Sequence, residues 1–557
     1  MIRFQSKIDN PTGGWIAAIL ISLVVMGAYL LIATRTTLWD RDEPRFARAT
    51  VEMVESGNYL VPTFNGRLRP DKPVLIYWLM SLPVRLLGPT ELACRFFSAV
   101  GTALSCLLTF VIGRKLLGAK AGLWAMAILA SSMMVLYIGS AATADAILLP
   151  CMIAAVAIFV SEIGSGVHLW QTVLMGIALG LALLAKGPVG LLPVVVIVTT
   201  VLLSREVRAD AGRYLRQLGL ATVIGILIFL AWAIPANNAT GGQFLSLGIG
   251  HHVLGRAVKP LEHHGGDFLL YLPYYLPVIV LGFFPWTLHL PGALLAVFRG
   301  RIGGQPCRAL LISWMLSVFI IMTLVITKLP HYVLFIWPAM ALAVAGTILA
   351  EERNALSAQE QVWLRRGTWL FVPVAAVGAL GLMVGPWFVQ VQALRWSGPA
   401  SGIVLAGMAI IAVRRQFAKG AAASAKVLLV GMAVLQIPIL FGVIPAIEQL
   451  KLSPAIAGAV TEKTTEETPV ATYGYGEPSL NFYVGRMTEP LRDEKAVVEW
   501  VRQVRPGVLV IPRNVLAEIR GRHELTDLEE IASKKGLNYS KGTELELVAM
   551  KRTAEGI

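Results

Sequence analysis

The chain has 557 residues, 56% of them hydrophobic and only 15% charged, with a mean hydropathy of +0.67 and a formal net charge of +14. A soluble protein of this size carries about 25% charged residues, so much of this surface must face a solvent other than water. Four cysteines, Cys94, Cys106, Cys151 and Cys307, lie in or beside apolar segments without close spacing, which argues against a disulfide framework or a cysteine metal knot.

In chain order, the first apolar stretch runs from Trp15 to Ala33, near the roughly 20 residues that cross a bilayer as a helix. It reads as an anchor over 14–34, because Thr36, Leu38 and Trp39 beyond it offer no small-residue cleavage site. A long loop follows, over about 35–93, and opens with Trp39-Asp40-Arg41-Asp42-Glu43-Pro44-Arg45. From Glu43, the spacing of Phe46, Ala49, Met53 and Val54 predicts an amphipathic helix lying on the membrane surface. Asp42 can be its N-cap, with Pro44 in the first turn, or a carboxylate fixed at the mouth of a cavity. Further on, Asp71-Lys72-Pro73 precedes an apolar, aromatic segment ending at Trp78. Lys72 fits either an interfacial anchor or a ligand for a phosphate oxygen.

Spans are then predicted over 94–113, 121–139, 143–162, 168–185, 187–204 and 217–235. Asp145, in Thr143-Ala144-Asp145-Ala146, falls at the outer edge of one of them. A carboxylate there faces a cavity or partner, or caps a helix. Lys186 lies between two further spans. A second long loop, about 237–270, holds four of the eight histidines together with Arg256 and Lys259. His252 and Arg256, four apart, would share a helical face. Histidine and carboxylate are ordinary zinc ligands, but the spacing matches no standard zinc motif. Five more spans follow, over 271–292, 308–327, 330–349, 368–389, 398–413, and a last one over 427–446, thirteen in all. Thr327-Lys328-Leu329-Pro330-His331-Tyr332 puts Lys328, His331 and Tyr332 at the outer surface.

The positive residues cluster on one side: Arg114, Lys115 and Lys120; Arg205 to Arg216; Arg299 to Arg308; Arg353 to Arg366; Arg414 to Lys426. That asymmetry predicts a cytoplasmic N-terminus and makes the charge chiefly an orientation signal, with no nucleic-acid partner required. An odd number of spans places the tail outside, and from about 450 the pattern becomes that of a soluble α/β unit. Strand-like runs over 470–475, 508–511 and 546–550 alternate with helix-like runs over 494–504 and 516–522. The predicted organisation is a transmembrane catalytic domain over 1–449 and a periplasmic α/β domain over 450–557. Both long loops lie on the outer face, and connections longer than about 15 residues are usually functional.

At Asp42-Glu43-Pro44-Arg45-Phe46-Ala47 and Pro70-Asp71-Lys72-Pro73-Val74-Leu75-Ile76-Tyr77-Trp78, the chain resembles the bacterial branch of the polyprenyl-phosphate-dependent glycosyltransferases. That branch includes the aminoarabinose transferases of lipid A and relatives of the protein O-mannosyltransferases. Similar blocks follow in the same order at 143–146, 185–188, 252–256, 282–286 and 328–332, so the resemblance spans about 35–340 plus the outer domain. It implies a mainly α, polytopic, GT-C-like fold with interfacial helices over a periplasmic cavity. It also implies an undecaprenyl-phosphate sugar donor, 4-amino-4-deoxy-L-arabinose as the sugar, lipid A as acceptor, and the bacterial inner membrane as location. By matching positions, Asp42 and Asp145 are the family's two acids. Arg45, Lys72, Arg256 and Tyr332, with Lys186 and Lys328 beside them, fall where the carrier phosphate is held or the cavity shaped. Asp71 and His252 sit where some members bind a divalent metal such as zinc. One departure is His331, where many relatives carry tyrosine.

The mechanism this implies is inverting: polyprenyl phosphate leaves as the acceptor oxygen attacks the anomeric carbon from the opposite face. Lys72 and Arg256 would stabilise the charge growing on the leaving group, and Asp42 would act as base or orient the acceptor. The rivals are a related transferase acting on protein Ser/Thr or another glycan, a lipid or polysaccharide transporter, and a sensor with a periplasmic domain. Transporters usually place polar residues at mid-membrane in repeated, broken helices; here the polar residues gather at one face.

Overall fold

A computed structural model describes residues 11–248, 271–389, 391–504, 506–525 and 527–552. Among these, ten helices are long and apolar enough to cross a membrane, or eleven when the bent pair Ala119–Ala130 and Met133–Gly139 is taken as one span. Two local features account for most of the difference from thirteen. The helical run Leu169–Leu203 contains two of the expected spans, and it is not straight. A side chain at Gly190 would meet the backbone of Ala182 and Leu183 at 2.5–2.7 Å, whereas residues eight apart on a straight helix are about 12 Å apart. The 3₁₀ turn Gly187–Leu191, entered through Gly187 at φ +65°, therefore folds the chain back on itself. Further along, the expected span 271–292 is broken into Tyr275–Gly282 and Leu290–Phe298, each too short to cross a bilayer alone.

The bend at Ser131 and Ser132 is satisfied locally, as a break inside a membrane must be. The Met133 amide donates to the Phe284 carbonyl, Ser132 Oγ donates to Ile128, and Trp286 Nε1 donates to Ser131 Oγ. Helix Pro330–Glu352 is the axis of the bundle, its apolar stretch buried throughout. Ala211–Ala239, Ala358–Phe388 and Ala421–Glu448 are less than a third buried and turn leucine, isoleucine and valine outward, as lipid-facing helices do.

The first loop forms helix Asp42–Ser56, the short hairpin β1 (Thr63–Phe64) and β2 (Arg67–Leu68), and helix Leu75–Leu87. The hairpin turns on Asn65-Gly66, both at positive φ, as a two-residue type I′ turn requires. Asp42 is the first residue of its helix and makes no cap hydrogen bond, so the N-cap reading is corrected; the carboxylate sits in the favourable field of the helix N-terminus.

Beyond Ser453 the chain builds a five-stranded sheet in the order β4-β3-β5-β7-β6: β3 (Val470–Thr472), β4 (Thr488–Pro490), β5 (Gly507–Pro512), β6 (Leu528–Asn538) and β7 (Thr543–Arg552). The first three strands are parallel and the last two antiparallel. This unit rests on the first loop. Tyr483 accepts from the Leu38 amide, and Asn65 exchanges two hydrogen bonds with the backbone of Thr488. The first loop and the C-terminal unit therefore lie on the same side of the membrane.

Candidate active site

The start of the first loop is fixed by one buried ion pair. Arg95, fully buried near the N-terminal end of helix Glu91–Leu117, uses all five of its N–H donors. Two go to Glu43 at 2.7 Å each, two to the carbonyls of Ala33 and Thr36, and one to Thr37. Glu43 also accepts from the amides of Trp39 and Ala142. The pair ties the end of the first span, the start of the surface helix and the loop before Asp145 into one knot, and so holds Asp42 at a set place.

Next to it lies a polar chamber of about 110 Å³, lined by Asp42, Arg45, Arg69, Asp71, Lys72, Tyr137, Thr143, Asp145, His331 and Tyr332. Asp145 opens helix Ala144–Glu162 and Lys186 ends helix Leu169–Lys186, each at the helix end that favours its charge. They pair at 2.5 Å, with side chains about a tenth exposed or less, which offsets the desolvation of both. His331 approaches Asp145 at 3.6 Å, and the Lys186 ammonium lies 4.9 Å from the centre of the Tyr332 ring. Across the chamber, Arg69 pairs with Asp71 at 2.9 Å, donates to Tyr77 Oη and lies over Phe46.

Two larger spaces share walls with this chamber. One, of about 190 Å³, is polar at the Asp71, Lys72, Asp145 and Lys186 end and otherwise apolar, with Leu148, Met152, Val189, Met322 and Phe335 among its lining. The other, of about 750 Å³, is bounded by Asp40, Arg41, Asp42, Arg45 and His331 and by an apolar wall that includes Met133, Val278 and Leu281. Asp42 lines both the polar chamber and the wide one.

Of the residues singled out in the sequence, Asp42, Arg45, Asp71, Lys72, Asp145, Lys186 and Tyr332 come together here. Lys328 does not. It lines none of the three spaces, and its buried ammonium donates to the Met322 and Thr323 carbonyls, closing the end of helix Gln305–Leu324; burial lowers its pKa. Arg256 and His252 lie outside the described residues. Asp71, proposed as a metal ligand, has its carboxylate on Arg69, and among the described residues no group of three or more His, Cys, Asp or Glu side chains could hold a metal ion. Arg69, Tyr137, Thr143 and His331 belong to the chamber but were not assigned to it from sequence. Nothing in Arg67-Leu68-Arg69 distinguishes the exposed arginine from the buried one, because residues two apart on an extended segment share a face.

Fold and chamber together define a polytopic membrane protein with a GT-C-like fold and a polar chamber between an apolar groove and a wider amphiphilic one. Residues 71–234 match the family model of dolichyl-phosphate-mannose-protein mannosyltransferases. Among curated relatives, the undecaprenyl phosphate-alpha-4-amino-4-deoxy-L-arabinose arabinosyl transferase of Edwardsiella ictaluri is 30% identical over 368 residues, 64% of each chain. That of Serratia proteamaculans is 28% identical over 412 residues, 72% of this chain and 71% of the relative. The match spans slightly under two thirds of the length of the Edwardsiella protein. The crystal structure of ArnT from Cupriavidus metallidurans bound to undecaprenyl phosphate superposes with a TM-score of 0.75 at 20% identity, covering 97% of this chain and 98% of that one. The fold expected from sequence is borne out, and so is the resemblance: the relatives the chain matches are aminoarabinosyl transferases.

Proposed function

We propose that the chain is an inverting glycosyltransferase that moves 4-amino-4-deoxy-L-arabinose from undecaprenyl phosphate to a phosphate of lipid A, on the periplasmic side of the bacterial inner membrane. The observation that carries this reading is the order of the three spaces, with Asp42 between the polar chamber and the wide one. The apolar groove suits an isoprenoid, and Lys72 and Lys186 at its polar end suit the phosphate joined to it. As the glycosyl bond breaks, negative charge grows on that phosphate, and fixed ammonium groups in a site of low dielectric stabilise it most there. The wide chamber combines an apolar wall with Arg41 and Arg45, which fits an acceptor that is both lipid and phosphate. A phosphate acceptor is already ionised near neutral pH, so Asp42 orients it or the sugar amine; a hydroxyl acceptor would make Asp42 a general base. The names of the curated relatives support the donor and the sugar.

The test is purified protein in detergent with undecaprenyl-phosphate aminoarabinose and lipid A, read by mass spectrometry. A pentosamine added to lipid A supports the proposal, and donor turnover only with a peptide or another glycan ends it. The zinc expected on Asp71 and His252 is a separate proposal, and no step is routed through it. Zinc titrated into chelated protein tests it: turnover that depends on zinc supports the site, and turnover indifferent to zinc removes it.

A further inference from the structure

The soluble unit grips the segment that carries Asp42. Asp40, two residues earlier, accepts from the Ser479 amide at 2.8 Å, from Ser479 Oγ at 2.5 Å and from Tyr539 Oη at 3.2 Å, while its own amide donates to Tyr539 Oη. Ser479 Oγ is bonded onward to Ser453. On either side the grip continues. Trp39 packs edge-on against Tyr539 and under the Lys451 ammonium, and Arg41 reaches Glu477, which Asn538 also holds. Beside Tyr539, Ser540 in the β6–β7 turn lines the wide chamber. Three consecutive residues before Asp42 are thus held by side chains more than 400 positions away in sequence.

We propose that Asp40 is a positioning residue: through Ser479 and Tyr539 of the soluble unit it fixes the segment bearing Asp42, which makes that unit a wall of the reaction space. This rests on the reading of Asp42 as a reacting or orienting group. The Arg95–Glu43 knot anchors the segment from the membrane side only, and Asp42 lies between that knot and the Asp40 grip. An acid anchored on one side alone would move against the acceptor, and a misplacement of about 1 Å can cost about 100-fold in rate.

The experiment measures donor and acceptor kinetics for Asp40→Ala, Asp40→Asn, Ser479→Ala and, in parallel, Asp42→Asn, with limited proteolysis to confirm that the soluble unit stays docked. Asp40→Ala should lower kcat by about 10- to 100-fold with the donor KM within about twofold, and Asp40→Asn, which still accepts from the Ser479 amide, should recover most of it. Ser479→Ala, which keeps the backbone bond, should fall between and serves as the test where Asp40→Ala does not fold. Wild-type kcat in a docked Asp40→Ala or Ser479→Ala protein overturns the proposal, as does an Asp40→Asn variant no better than alanine. Wild-type turnover in Asp42→Asn instead overturns the reading of Asp42, whatever Asp40 does.

Discussion

Replacing Arg95 by methionine should unfasten the first loop. The guanidinium makes two bonds to Glu43 and three to backbone carbonyls, all in a site with no exposure of the arginine and 4% of the glutamate. Its removal leaves a buried carboxylate held only by the Trp39 and Ala142 amides, and breaking a buried pair from one side costs about 3–5 kcal/mol. At about 1.4 kcal/mol per tenfold, that disfavours the ordered loop by roughly 100- to 4,000-fold. Turnover should fall by about two orders of magnitude and the unfolding temperature in detergent should drop. Glu43→Leu alone should do similar damage. The double variant Arg95→Met/Glu43→Leu should be less harmed than the sum, because an apolar pair of similar volume often replaces a buried ion pair at little cost. A double-mutant cycle on thermal unfolding measures this, with an expected coupling of about 2 kcal/mol or more. Singles that each cost under about 0.5 kcal/mol and simply add would refute the knot as the organiser of the site.

Lys72→Met should lower kcat by about 100-fold or more, on the scale of losing one transition-state donor. Lys328→Met should cost about 1–2 kcal/mol of stability and leave turnover within about threefold, since it caps a helix. Parallel kinetics and melting curves check the pair. Gly190→Val drives a side chain into the Ala182 backbone and should abolish correct insertion, whereas Gly212→Ala, with nothing within 4 Å, should be neutral; yields of folded protein report both. Asp40 is raised from 3.8 to about 6, chiefly by burial. Its docked form therefore binds a proton more tightly than its undocked form, and its contribution to docking is full below about pH 4 and lost as pH rises through about 6. The difference is about 3 kcal/mol at most. Hydrogen exchange over 477–480 should slow as pH falls from 8 to 5, after correction for intrinsic rates, and Asp40→Asn should flatten that trend.

Periodicity and charge placement made the membrane bundle legible, because a lipid solvent imposes length and apolarity on each crossing. The run 169–203 is expected as two spans on either side of Lys186, and the structure turns there through Gly187–Leu191. In the soluble unit, β5 and β7 were visible as buried valine and leucine runs. The edge strand β6 was not, because Glu529, Glu530, Lys534 and Lys535 protect an open edge at the expense of the strand pattern. Helix Ser453–Lys463 is not legible either: only Ile456, Ala457 and Val460 of its apolar side chains are buried, too few to set a clear helical period. Within the site, residue type revealed Asp42, Lys72 and Asp145. It could not separate Arg69 from Arg67, two positions away on the same extended segment, nor assign the direction of Lys328, whose nearest unsatisfied partners were carbonyls of the preceding helix. Asp40 and Ser479 were out of reach, since their pairing joins the two ends of the chain.

The seam between the opening loop and the closing sheet sets a schedule for assembly. Asp42 leaves the ribosome early, but Ser479 and Tyr539 follow more than 400 residues later, roughly 20–80 s at about 5–20 residues per second. Until then the loop has a membrane-side anchor and no lid. On the proposed function, a nascent or truncated chain would have its apolar groove formed while the segment bearing Asp42 was still unheld, so full turnover would arrive only with the final strands.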